Sequence, residues 1–157
     1  MSGPQATTAR DVDLADIEFE AMILGRHLAP RDAAYGLHLD KSAYTLITRL
    51  QVDGPMSIGQ LSDAFGLDAS TLNRQTAKMV EQGLVRRIPD PDGGLARKFE
   101  VTEQGAAHLA HDRRRKLAGL GEVLRAWPEE DVAALAELLR RFNGSIEERD
   151  GRPWPRP

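Results

Sequence analysis

A mainly α-helical fold with one small β-hairpin (α+β) is predicted by three features of the sequence. Between residues 57 and 82, two short amphipathic segments are separated by a glycine turn at Phe65-Gly66-Leu67. Two short runs, Leu84–Ile88 and Arg97–Val101, follow directly and are joined across Asp92-Gly93-Gly94. Long segments with apolar residues at helical spacing flank this core on both sides. Helix, turn, helix and hairpin in that order make a winged helix-turn-helix, an arrangement that presents its second helix to the major groove of DNA.

Each element has its own local warrant. Residues 1–11 are small and polar without periodicity and are expected to be mobile. From Leu14 to Leu28 the apolar positions Leu14, Ile17, Phe19, Ala21, Ile23, Leu24 and Leu28 give a helix with a broad apolar face. That face needs a partner, either the rest of the chain or a second copy. Pro30 ends or bends this helix, and residues 31–39 form a loop or a turn of helix. Asp40 can cap a helix over 41–52 that points Ala43, Leu46, Ile47 and Leu50 inward, and Gly54-Pro55 stops it. Ser57 and Gln60 match a capping box, with Ile58, Leu61 and Phe65 inward behind it. Asp68 caps the second helix, 69–82, whose inward positions are Leu72, Thr76, Met79 and Val80. Gly83 ends that helix, and the hairpin follows with Pro89 and Pro91 in its loop. Thr102 opens a long helix to about Trp127, and Pro128 stands in the first turn of a last helix carrying Val132, Leu135, Leu138, Leu139, Phe142 and Ile146. The end, DGRPWPRP, cannot be helical.

Composition narrows the function classes. Across 157 residues, 41% apolar and 29% charged content is that of an ordinary soluble protein, and a net charge of −3 excludes binding to nucleic acid through bulk charge alone. The absence of cysteine excludes a disulfide framework, a thiolate zinc site and a cysteine redox sensor. No segment resembles a signal peptide and no apolar run approaches ~18 residues, so a cytoplasmic protein without a membrane partner is expected.

The outward residues of the second helix are Ser70, Thr71, Asn73, Arg74, Gln75 and Lys78. Arginine pairs with guanine edges, Asn and Gln with adenine edges, and Ser and Thr with bases or phosphates, so these types suit base readout on double-stranded DNA. Arg86, Arg87, Arg97 and Lys98 make the hairpin basic, as suits a wing that grips phosphate or the minor groove. Residues 68–100 carry six Lys/Arg against five Asp/Glu, so binding must rest on the placement of charges rather than on their sum. The run Arg113-Arg114-Arg115-Lys116 reads as a solvated face, as pairs for acids such as Glu147 and Glu148, or as a backbone contact. His108 and His111 have a spacing that two ligands on one helix can use, but no third ligand is located by the sequence, so no metal is expected. Four scattered histidines, no cysteine and no glycine-rich loop opening a helix yield no catalytic residues, no cofactor and no enzyme. A winged helix used for protein contact, without operator binding, is the alternative.

Taken together, SIGQLSDAFGLD, ASTLNRQTAKMVEQGLV and RRIPDPDGGLARKFEVTEQG resemble the MarR family of bacterial transcriptional regulators over about residues 14–148. The most specific signal is Gly83-Leu84-Val85-Arg86, then Pro91-Asp92, then Val101-Thr102-Glu103-Gln104-Gly105. One departure stands in the wing, where Gly93-Gly94-Leu95 replaces the family's usual paired arginines. Arg97 then becomes the candidate for the minor groove, with Arg86 and Lys98 as backbone contacts. The resemblance implies a homodimer, more often a repressor than an activator, in which segments 12–30 and 102–149 interlock. It implies a DNA-binding domain over 40–101 and leaves 150–157 as a flexible tail. It also implies an operator with half-sites ~34–36 Å apart. A small aromatic or phenolic effector is implied too, in a cleft that Tyr35, His38 and Tyr44 could line.

Overall fold

The computed structural model describes residues 9–27 and 36–156 and divides the chain into two units, one ending at Arg31 and the other beginning at Asp32. In the first, α1 spans Ala9–His27, beginning within the segment expected to be mobile. Asp11 in its first turn and Arg26 and His27 in its last complement the helix dipole. No residue of α1 is buried, and Leu14, Ile17, Phe19 and Met22 are each about half exposed. Leu28 and Pro30 lie outside the described residues.

The second unit contains α2 (Lys41–Asp53), β1 (Met56–Ser57), α3 (Ile58–Phe65), α4 (Ala69–Glu81), β2 (Val85–Ile88), β3 (Lys98–Val101), α5 (Glu103–Val123) and α6 (Glu129–Asp150). The caps form as expected. Asp40 accepts from the Ala43 amide, Ser57 and Gln60 make both bonds of the capping box, and Asp68 accepts from the Thr71 amide. Gly66 is left-handed at φ 62°, so the turn between α3 and α4 uses the conformation that glycine adopts without a Cβ penalty. Ala43, Leu46, Ile47 and Leu50 of α2 pack with Leu61, Leu72, Met79, Val85, Phe99 and Leu109 in one core. Ile58 and Phe65 line its edge. Val80, expected inward, is more than a third exposed, while Thr76 beside it is fully buried and returns its hydroxyl proton to the Leu72 carbonyl.

Three strands form the sheet, in the order β1-β3-β2, all antiparallel. β1 is not visible in the sequence because two residues are too few for a periodic pattern. It pairs Met56 with Phe99 and Ser57 with Lys98. Gly105, the last residue of the family-specific run, sits at a close approach of two chain segments: an added Cβ would stand 2.1 Å from the Leu84 carbonyl oxygen. That oxygen already accepts from the Thr102 amide and hydroxyl, so it has no room to move away.

The helix after the wing is shorter than expected, ending at Val123 instead of about Trp127. Trp127 precedes Pro128, whose ring disfavours a helical conformation in the residue before it. Pro128 itself is the N-cap of α6 and not part of its first turn, which carries Glu129, Glu130 and Asp131. No residue of α6 is buried, and Leu138, Leu139, Phe142 and Ile146 are exposed.

The tail, expected to be flexible, is instead held. The Trp154 ring meets Phe65 edge-on at 5.4 Å and carries the Arg49 guanidinium at 5.0 Å. Glu147 of α6 accepts from the Trp154 amide at 3.0 Å and from Arg156 at 2.7 Å. Arg152 lies across Gly66, where an added Cβ would come within 2.7 Å of its Cζ. The Arg156 side chain, with the Trp154 amide, holds the Glu147 carboxyl down to about 2 from its ordinary 4.5. Because the folded value is depressed, this contact contributes fully above the ordinary range and is lost as pH falls through about 2. Trp154 fluorescence in a Trp127→Phe background should therefore hold through mild acid, and Glu147→Gln should show the released signal already at neutral pH. A wild-type transition near pH 4.5 would contradict the contact.

Candidate nucleic-acid interface

α4 is held by its buried side, Leu72, Thr76 and Met79, against α2 and α3, so its opposite face is free to meet a partner. On that face Ser70, Asn73, Arg74 and Lys78 are exposed, while Thr71 and Gln75 are half buried. Several of these groups are already engaged. The hydroxyls of Ser70 and Thr71 both donate to Asp68, the second at 2.7 Å, and these bonds hold the Asp68 carboxyl far below its ordinary value. The N-terminus of α4 thus carries its own anion, and it is not the open phosphate site that free amides alone would make. Gln75 reaches Ser42 of α2 at 3.4 Å, and Lys78 is paired with Asp40 at 2.7 Å. Burial pulls the Asp40 carboxyl up, but the bonds from Lys78 and Ala43 outweigh it and the net shift is downward. Asn73 and Arg74 remain the most available, Arg74 making only a 3.4 Å contact to the Thr71 hydroxyl.

The wing sorts its four cations differently. Arg86 is exposed but paired with Glu100 across the hairpin at 2.6 Å. Arg87 is exposed over the Phe99 ring, 5.5 Å from its centroid. Arg97 is exposed and has no hydrogen-bond or ion-pair partner among the described residues. Lys98, expected as a DNA-backbone contact, is corrected: it is 8% exposed and bound to Asp90 at 2.7 Å and Asp92 at 3.2 Å. Those two bonds raise its pKa, and the first of them, with the Asp92 amide, lowers that of Asp90. The unusual tip explains this. A Cβ at residue 94 would fall 2.2 Å from an Asp90 carboxylate oxygen, so Gly94 makes the space in which Asp90 turns in to grip Lys98.

Asn73 of α4 and Arg87 and Arg97 of the wing line one open groove of about 480 Å³, with Ser57 and Ile58 at the start of α3. The tertiary structure thus brings one exposed amide and two exposed guanidinium groups to one surface.

Of the residues expected to line an effector cleft, Tyr35 lies outside the described residues. Tyr44 is half buried with the Lys116 ammonium 3.8 Å above its ring, which accounts for one member of the basic run on α5. His38 is exposed at the chain segment before α2 and packs on His108 and His111. That grouping was missed in the sequence because His38 and the other two stand some seventy residues apart. None of the described helices is long and apolar enough to cross a membrane.

Fold and surface together define a winged helix-turn-helix transcriptional regulator of the DNA-binding class. The MarR family profile matches residues 39–93. YxaD, an HTH-type transcriptional regulator of Bacillus subtilis (strain 168), is 33% identical over 106 residues, 68% of this chain and 74% of YxaD. The chain belongs to the MarR family. Among solved structures, a MarR family protein from Bacillus stearothermophilus shares the fold with a TM-score of 0.76 at 20% identity, covering 90% of this chain and 99% of that one. The PcaV transcriptional regulator from Streptomyces coelicolor, solved in complex with its natural ligand, has a TM-score of 0.57 at 16% identity, covering 94% of this chain and all of that one.

Proposed function

We propose that this regulator is a homodimeric repressor that reads a pseudo-palindromic operator, with α4 in the major groove and the wing alongside. The observation that carries this reading is the shared surface of Asn73, Arg87 and Arg97, with Arg74 exposed on the same helix. In it, residues 40–101 form the DNA-binding domain and segments 12–30 and 102–149 the dimerisation helices. The apolar, unburied α1 and α6 support that division, since such faces are covered by a second copy more readily than by water. Effector control enters near His38 and Tyr44, where the start of α2 meets α5. A ligand there releases DNA only if it binds the released arrangement more tightly.

Selection of genomic fragments with purified protein at near-physiological salt tests the reading, and a short inverted repeat is the expected product. On that site Arg74→Ala should cost about 1–3 kcal/mol, with a much smaller loss on random duplex. Equal loss on both would leave Arg74 a phosphate contact only. The neutralisation of Lys78, Arg86 and Lys98 within the chain favours a second reading, protein contact through the same surface. Duplex binding that weakens steeply with salt excludes it, because counterion release accompanies only nucleic-acid contact.

A further inference from the structure

We propose that His38, His111 and Asp112, with His108 beside them, form a binding site for a divalent transition-metal ion of the zinc class. His38 comes from the segment before α2, and the other three lie within one turn of α5. One potential ligand atom from each of His38, His111 and Asp112 lies within 4.8 Å of the others. Zinc holds nitrogen and oxygen ligands at ~2.0–2.2 Å, so a modest rotation of the exposed His38 closes the set.

Three further features of the cluster fit a metal better than simple packing. Asp112 is a fully buried carboxylate with no cationic side chain paired to it among the described residues. Its oxygens accept backbone amides instead, from His38 at 3.0 and 3.1 Å and from Leu39 at 2.8 Å. Each carboxylate oxygen has two lone pairs, and Oδ1 accepts only one of these amides. An oxygen therefore remains for a cation, already oriented as ligating carboxylates are. His111 places Nε2 3.3 Å from the Gly36 carbonyl oxygen. With the proton on Nε2 for that bond, the ring keeps its lone pair on Nδ1, the tautomer control that ligating histidines show. Finally, the Nδ1 atom of His108 is buried without any hydrogen-bond partner, while its ring stacks on His38 at 4.5 Å. Only His38, His111 and Asp112 converge, so His108 becomes a fourth ligand only once its ring turns out of the stack on His38. A nitrogen and oxygen set without thiolate, three or four strong and open to solvent at His38, suits zinc.

The test uses the full chain, stripped with EDTA and titrated with zinc against a chromogenic chelator. One zinc per chain is expected, and His38→Gln and His111→Gln should each weaken it by about tenfold or more, the scale on which even outer-shell losses are felt. Both residues are at least partly exposed, so the variants should keep the wild-type circular dichroism. Wild type binding zinc no more tightly than the folded His38→Gln/His111→Gln double variant would overturn the proposal. The readout needs no DNA, so its failure is separate from failure of the operator reading.

Discussion

Leu72→Ala should lower stability by about 2–5 kcal/mol, the range for emptying a buried leucine position. For a chain of this size that is a fall in Tm of roughly 4–20 °C. Leu72 is fully buried, while Asn73, the next residue along α4, is exposed. The substitution removes methyl groups from the junction of α4 with α2 and α3, and its neighbours can refill that space only in part. Operator binding should fall with the folded fraction and recover on cooling. Asn73→Ala should do the reverse, shifting stability by within ~0.5 kcal/mol while weakening DNA binding. Thermal unfolding beside duplex titration separates the two. A Leu72→Ala protein as stable as wild type would mean that the inner face of α4 is not the core.

With the proposed homodimer, Leu139→Glu together with Phe142→Glu should leave a monomer at micromolar concentration and reduce operator affinity by about 100-fold or more, since one lobe then binds alone. Leu139 and Phe142 are 43% and 52% exposed on a helix in which no residue is fully buried. Covering the exposed half of each side chain in a dimer would contribute about 1 kcal/mol, roughly half of a full burial, and a glutamate in its place would bring an unpaired charge into that interface. Since both residues are exposed in the single chain, helix content should not change. Light scattering after size exclusion reads the mass, and wild type eluting as a monomer at the same concentration would contradict the dimer.

The caps at Asp40, Ser57 and Asp68 and the left-handed Gly66 were legible in the sequence because each depends on residues within about four positions of one another, and the hairpin was legible because two short strand-like runs bracket the turn residues Asp92-Gly93-Gly94. The inward sets of α2 and α3 were legible for the same reason, since one helical period is enough to show them. Val80 misled because the period marks a face but not where a partner helix stops covering it. The altered wing tip was visible as a departure, yet its meaning was not. Gly93-Gly94 looks like missing cations, and only the fold shows Asp90 entering the space beside Gly94 to bury Lys98.

What the sequence determined by itself is therefore the order of helix, turn, helix and wing, and the residue types on the outer face of α4. Short-range hydrogen bonds and hydrophobic period dictate both. Only the tertiary structure decided which of those side chains are available. It paired Lys78 with Asp40, laid Trp154 and Arg152 against the helix-turn-helix, and set His38 beside His108, His111 and Asp112. These contacts bring together residues 38 positions apart at the least, as in Lys78 with Asp40, and 89 at the most, as in Trp154 with Phe65, and no local pattern encodes them. They exist because packing of the core fixes where each exposed side chain emerges, and a charge or ring then settles on whatever partner that geometry puts within reach.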